Sequence, residues 1–162
     1  MPKQDALSPV KVYLALGSNL GDRGANIRFA VEKISRLPTT VMLAVSSLLE
    51  NPAVGGPPDS PPFLNAVAVI QTQIAAEPLL EALLTVEQSL GRLRVQKWEP
   101  RPIDLDIILY GDQIIHSQSL SVPHPMMHQR RFVLQPLVEI APEVIHPSLK
   151  KTASQLLAEL GM

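Results

Sequence analysis

Two aspartates one residue apart, Asp104 and Asp106, lead into the apolar run Ile107-Ile108-Leu109, and Arg101 stands just before them between Pro100 and Pro102. The run reads as a buried strand. Side chains alternate faces along a strand, so the two carboxylates point one way and Leu105, Ile107 and Leu109 the other. Adjacent carboxylates repel each other and resist burial. A divalent cation removes both problems. Mg²⁺ takes one or two carboxylates and completes its shell with waters and substrate phosphates. A lone D-x-D is more often a solvated turn or an exposed strand face. Here the apolar strand behind it and the arginine beside it favour a cation site next to a polyphosphate.

Just upstream, Arg92, Arg94, Lys97 and Arg101 gather four of the chain's 14 basic residues around Trp98. A solvated basic loop is the plain alternative. Cations gathered round a carboxylate pair instead make a balanced cradle for metal and phosphate. Glu87 lies late in a helix, where the dipole disfavours a carboxylate, so it needs a cationic or hydrogen-bonding partner. His124 sits between Pro123 and Pro125, which fixes an extended backbone. A lone histidine of this kind is more often a structural hydrogen-bonder than a ligand.

The elements that must position these residues can be read in order. Lys11 to Leu16 is a first strand, followed by the tight loop Gly17-Ser18-Asn19-Leu20-Gly21-Asp22. That loop lacks a full phosphate-binding fingerprint, so its default role is structural. Ala25 to Leu37 has helical apolar spacing. Thr40 to Leu49 reads as a second strand, and Asn51 to Pro62 as a long proline-stiffened loop. Phe63 to Thr72 is a third strand, on which Asn65 shares a face with Val67 and Val69. A second helix opens at Glu77-Pro78 and stops near Gly91. After the Asp104–Tyr110 strand, Gly111-Asp112 makes a turn and Ile114-Ile115 returns as a short strand. Arg130 and Arg131 fall in a short helix. Phe132 to Ile140 continues apolar but is broken at Pro136, and Thr152 to Leu160 is a closing helix. The order β-α-β-β-α-β predicts an α+β, ferredoxin-like antiparallel sheet covered by helices, with long active-site loops and a C-terminal extension.

Composition bounds the function. At 162 residues, 46% hydrophobic and 18% charged, the chain is a single globular domain over 1–162. A net charge of -1 gives no broad electrostatic case for nucleic acid or an acidic membrane. The absence of cysteine excludes disulfides and thiolate metal sites and fits a reducing compartment. No apolar signal region stands in MPKQDALSP, and no run reaches membrane-spanning length. The expectation is a cytoplasmic monomer acting on small molecules.

Taken together, LALGSNLGDR, NPAVG with FLNA, GRLR with PRPIDLDIILYG, and VPHP with the arginines beyond it resemble the 6-hydroxymethyl-7,8-dihydropterin pyrophosphokinase family. The resemblance runs from Tyr13 to about Pro147. It implies transfer of pyrophosphate from ATP to the pterin hydroxymethyl group, with release of AMP, in folate biosynthesis. It further implies two Mg²⁺ on Asp104 and Asp106, with Arg92 and Arg101 stabilising charge on the moving group. Glu87, Arg94, the Ile107 backbone, Ser121, His124 and Arg130 would line the ATP side. Phe63, Phe132 and Trp98 would enclose the pterin, and Asn51, Asn65 and the Pro52–Val54 backbone would read its edge. Loops 51–62 and 92–101 would close over substrate. Asn51 replaces a usual threonine, Glu99 a usual glycine, and Pro125 follows the histidine where an aromatic can occur. Two other classes compete. A templated nucleotidyl- or phosphotransferase on a similar fold would need a basic stripe that is absent. A non-catalytic binding module has no use for arginines beside paired carboxylates.

Overall fold

The apolar runs 12–16, 66–70 and 107–110 fold as strand segments buried on both faces, whereas 40–45 is a strand that buries one face only. A computed structural model describes residues 8–51, 61–90 and 102–161. Strand β1 (Val10–Ser18) lies inside a five-stranded antiparallel sheet. It pairs with β4 (Phe63–Thr72) on one side and β5 (Asp104–Tyr110) on the other. β2 (Thr40–Val45) and β3 (Leu49–Asn51) both pair with β4, and the path through the sheet runs β2-β4-β1-β5.

The single strand expected over Thr40–Leu49 is therefore two. The break has a side-chain cause. The Ser46 backbone donates to Val67 O while its Oγ accepts from Val67 N, each at 2.9 Å. A hydroxyl thus stands in for a ladder carbonyl, and the chain turns there. Ser47 then donates to the Glu139 carboxylate, tying the break to a later helix.

Helices α1 (Arg23–Ser35) and α2 (Ala76–Ser89) cover one sheet face. α1 begins two residues before the expected start because the Asp22 side chain caps it, accepting from Ala25 N at 3.0 Å. Their core joins Ile27, Ile34, Leu79 and Leu83 to Leu14, Leu16, Ile70 and Leu105.

The opposite face is covered by the C-terminal part of the chain. A 3₁₀ turn at Met127–Gln129 leads into α3 (Arg131–Ile140), and α4 (Ala153–Glu159) packs beside it. α3 passes through Pro136, where a break was expected. An interior proline costs about 3 kcal/mol. Burying Val133, Leu134 and Leu137 against Tyr13, Val67 and Val69 offsets it, at ~1.5–3 kcal/mol for each large side chain. α4 starts at the expected place, with Thr152 and Gln155 forming a reciprocal cap.

The short return strand also differs from expectation. β6 (Ile115–His116) pairs with β7 (Ser121–Val122), not with β5. Ser117 closes that hairpin on Leu120, and Glu77 of α2 accepts from the hydroxyls of Ser117 and Ser119. β8 (Ile145–His146) and β9 (Lys151–Thr152) form a second small hairpin before α4. No helix among the described residues is long and apolar enough to cross a membrane.

The β8–β9 hairpin carries a pH prediction. His146 Nδ1 accepts from Ser148 N and Leu149 N, so protonation there would remove two bonds. Burial, and then the neighbouring His128, hold its pKa below the ordinary value, against a smaller opposing effect of backbone hydrogen bonding. Just below the ordinary histidine pKa of about 6.5, the unfolded chain binds a proton that the folded chain does not. Stability is therefore expected to fall as pH drops through that value and to level off below the folded pKa. His146→Asn keeps an acceptor but cannot titrate. Urea midpoints compared at about pH 7.5 and 5.5 should drop less in that variant than in the parent, by the histidine's share of the linkage.

Candidate active site

β5 presents Asp104 opposite Gly17 and Asp106 opposite Ala15 of β1. β4 in turn sets Asn65 opposite Gly17, and β3 sets Leu49 opposite Asn65 and Asn51 opposite Phe63. Residues directly opposite in a sheet share a face. One end of the sheet therefore carries Asp104, Asp106, Asn65, Phe63 and Asn51 on the same side, the side that α3 and α4 cover further along. Both aspartates are half-buried.

The expected alternation holds from Asp104 to Ile107 and then fails. A bulge moves the partner of β1 from Ile107 opposite Leu14 to Leu109 opposite Tyr13. Leu105 and Ile107 join the α1/α2 core, while both Ile108 and Leu109 join the α3/α4 core. Leu109 thus lies on the aspartates' side of the sheet, contrary to the simple period-two reading.

Gly17 is required by a close approach. A β-carbon there would lie 2.9 Å from Asn65 Nδ2 and 3.3 Å from the Phe63 ring. Asn65 is 8% exposed, and its Oδ1 is buried with no hydrogen-bond partner among the described residues. A buried acceptor left unpaired costs about 1–3 kcal/mol. Such an atom beside an aromatic ring fits the polar edge of a flat ligand.

His124 joins this end through its backbone. Its N–H donates to Ile108 O at 3.0 Å, and its Nδ1 accepts from Met126 N at 3.1 Å. The neutral ring then carries its proton on Nε2 and can donate from there. Burial, then the Arg130 charge, push its pKa down, and Asp104 opposes them. Arg130 and Asp104 thus both act on His124 electrostatically, in opposite directions. The Arg130 guanidinium lies 5.6 Å above the centre of the Phe132 ring. Ser121 is half-buried on β7 beside β5. The Ile107 side chain is buried on the far face, leaving its backbone as the part that can meet a ligand.

Glu87 has the hydrogen-bonding partner its position demanded. Its Oε2 accepts from the Leu105 backbone N at 2.7 Å. The loop expected from Gly17 begins at Asn19, because Gly17 and Ser18 stay in β1 paired with Asn65 and Leu64, and the turn into α1 has anchoring duties. Asn19 donates to Pro61 O, and Arg23 bridges Glu50 at 2.9 Å while also donating to Pro62 O. Glu50 on one side and Pro61 and Pro62 on the other are thereby held to Asn19 and Arg23. Arg92, Arg94, Trp98, Arg101, Pro52 and Val54 lie outside the described residues.

A family model described as 7,8-dihydro-6-hydroxymethylpterin-pyrophosphokinase matches residues 13–142. The chain belongs to this family. Among its pyrophosphokinase relatives, a Haemophilus influenzae 2-amino-4-hydroxy-6-hydroxymethyldihydropteridine pyrophosphokinase is 40% identical over 93% of this chain and 91% of its own length. A Pseudomonas aeruginosa protein of the same name is 44% identical over 85% and 84%. The fold also matches a solved Plasmodium falciparum HPPK-DHPS chain bound to pterin and p-hydroxybenzoate, with a TM-score of 0.73 at 15% identity. That match covers 94% of this chain but only 43% of the Plasmodium chain, so this chain spans less than half of that protein.

Proposed function

We propose that the chain transfers pyrophosphate from ATP to 6-hydroxymethyl-7,8-dihydropterin, giving AMP and the pterin diphosphate, in folate biosynthesis. The observation that carries this reading is the row across one sheet end. It sets Asn65's orphaned acceptor and the Phe63 ring on the same face as the aspartate pair. A ring-edge reader and a phosphate-side cation site then stand on one face of the sheet.

Magnesium suits the donor set. Two half-buried carboxylates, one residue apart on one face, ask for a hard cation that brings further oxygen ligands with it. Asp104 and Asp106 would hold it, and when bound it supplies charge neutralisation on the phosphates. Phosphoryl transfer is chiefly positioning and electrostatic stabilisation. Phe63 and Phe132 stack the pterin, with Trp98 closing the site. Asn65 and Asn51, with the Pro52–Val54 backbone, orient its edge so that the hydroxymethyl oxygen faces the β-phosphorus. Arg92 and Arg101 meet charge on the moving group, and Arg94, His124 and Arg130 bind the polyphosphate. Ser121 and the Ile107 backbone complete the nucleotide side, whereas Glu87, expected there, is buried under β5 with its carboxylate on the Leu105 backbone. The bond from the α–β bridging oxygen to the β-phosphorus breaks as the hydroxymethyl oxygen bonds to that phosphorus, and the hydroxyl proton goes to solvent. The sheet order, with β3 as an added short strand, supports a ferredoxin-like reading in which α3 and α4 form the C-terminal extension. A single-domain, cytoplasmic monomer completes the proposal.

The test mixes protein, ATP, Mg²⁺ and the hydroxymethyl-dihydropterin and resolves the nucleotide products. AMP formation that requires both Mg²⁺ and the pterin is expected. ADP would make it a single-phosphoryl kinase, and AMP without pterin would mean a different acceptor.

A further inference from the structure

β5 pairs with β1 on one side and lies at the end of the sheet path. Amides in an antiparallel strand point alternately to either side, so the outward set of an end strand has no ladder partner. Leu105 N belongs to that set, and Glu87 Oε2 meets it in a buried bond. Leu105 stands between the two aspartates. Glu87 is 3% exposed and sits in the last turn of α2, at the negative end of the helix dipole. Burial and dipole both oppose a carboxylate here, and an apolar residue would simply extend the α2 stripe. A charge-assisted bond to the backbone is what a carboxylate offers at this position and an apolar residue cannot.

We infer that Glu87 is a positioning residue. It fixes the edge of β5 that has no ladder partner among the described residues, at Leu105, so that Asp104 and Asp106 project together from one face of the sheet. This rests on the reading of those aspartates as the magnesium site. It replaces a direct nucleotide contact with a role exerted through the strand backbone. Residues that orient metal ligands without touching the metal typically change affinity or activity 10–100-fold when lost, by general experience.

The test titrates AMP formation with free Mg²⁺ at saturating ATP and pterin. Glu87→Ala should raise the Mg²⁺ needed for half-maximal rate roughly 10–100-fold, while the ATP KM at saturating Mg²⁺ stays within about threefold. Glu87→Gln, whose amide oxygen still accepts from Leu105 N, should return the Mg²⁺ midpoint most of the way to the parent value. An altered ATP KM with an unmoved Mg²⁺ midpoint would overturn the inference in favour of a nucleotide contact. Should Glu87→Ala fail to fold, the parent protein carries the test. Its Leu105 amide should exchange with deuterium, without metal, as slowly as the β1-paired amides of β5, and exchange typical of an open edge would overturn the idea. Asp104→Asn and Asp106→Asn in the same titration separate the two claims. If neither moves the midpoint, the metal reading falls. If both move it and Glu87→Ala does not, only the role of Glu87 falls.

Discussion

Asp104→Ala and Asp106→Ala are each expected to lower kcat roughly a thousandfold or more, a loss of about 4 kcal/mol of transition-state stabilisation. The fold should survive both changes. The two side chains are half-buried at the open end of the sheet, and neither contributes to an apolar cluster. Single-turnover kinetics at saturating ATP and Mg²⁺, with circular dichroism to confirm folding, make the measurement. Near-normal turnover in either variant would remove that aspartate from the site.

The second large effect belongs to a residue with no side chain. Gly17→Ala should raise the pterin KM by roughly 10–100-fold, the equivalent of ~1–3 kcal/mol of overpacking. The new methyl would meet the tip of the Asn65 amide at 2.9 Å. A side-chain tip yields before a backbone does, so the amide rotates away and the ring-edge contact is lost. Phe63, at 3.3 Å, is displaced with it. The Mg²⁺ requirement and ATP KM should change little, because Gly17's clash is with β4 and not with β5. Titration calorimetry with the pterin and a non-hydrolysable ATP analogue separates binding from chemistry. An unchanged pterin affinity would place the ring away from Asn65.

Much of this site could be read before the fold was in hand. Phe63–Thr72 and Asp104–Tyr110 announce themselves because apolar β-branched residues fill both faces of an inner or well-covered strand. The shared face of Asn65, Val67 and Val69 follows from strand geometry alone. What could not be read depends on contacts between distant segments. The split of β2 from β3 needs Ser46 to find Val67, and the partner of Glu87 needs α2 to reach the edge of β5. The C-terminal tail looked like short pieces because Pro136 reads locally as a breaker. Only the core it buries explains a helix running through it. Gly17 carried no sequence signal beyond its place in a turn, since its role comes from a neighbouring strand.

The bulge at Ile108 makes the length of β5 a counted quantity. Asp104 and Asp106 are set by pairing with Gly17 and Ala15 at one end, and Tyr110 by pairing with Val12 at the other. One surplus residue between them is absorbed at Ile108, whose carbonyl receives the His124 N–H. Deleting it would restore a regular ladder with Leu109 still opposite Tyr13, yet take the Ile108 side chain out of the α3/α4 core and withdraw the histidine's anchor. Length variation among descendants of this gene is therefore expected to be barred between Asp104 and Tyr110, even where individual residues there drift.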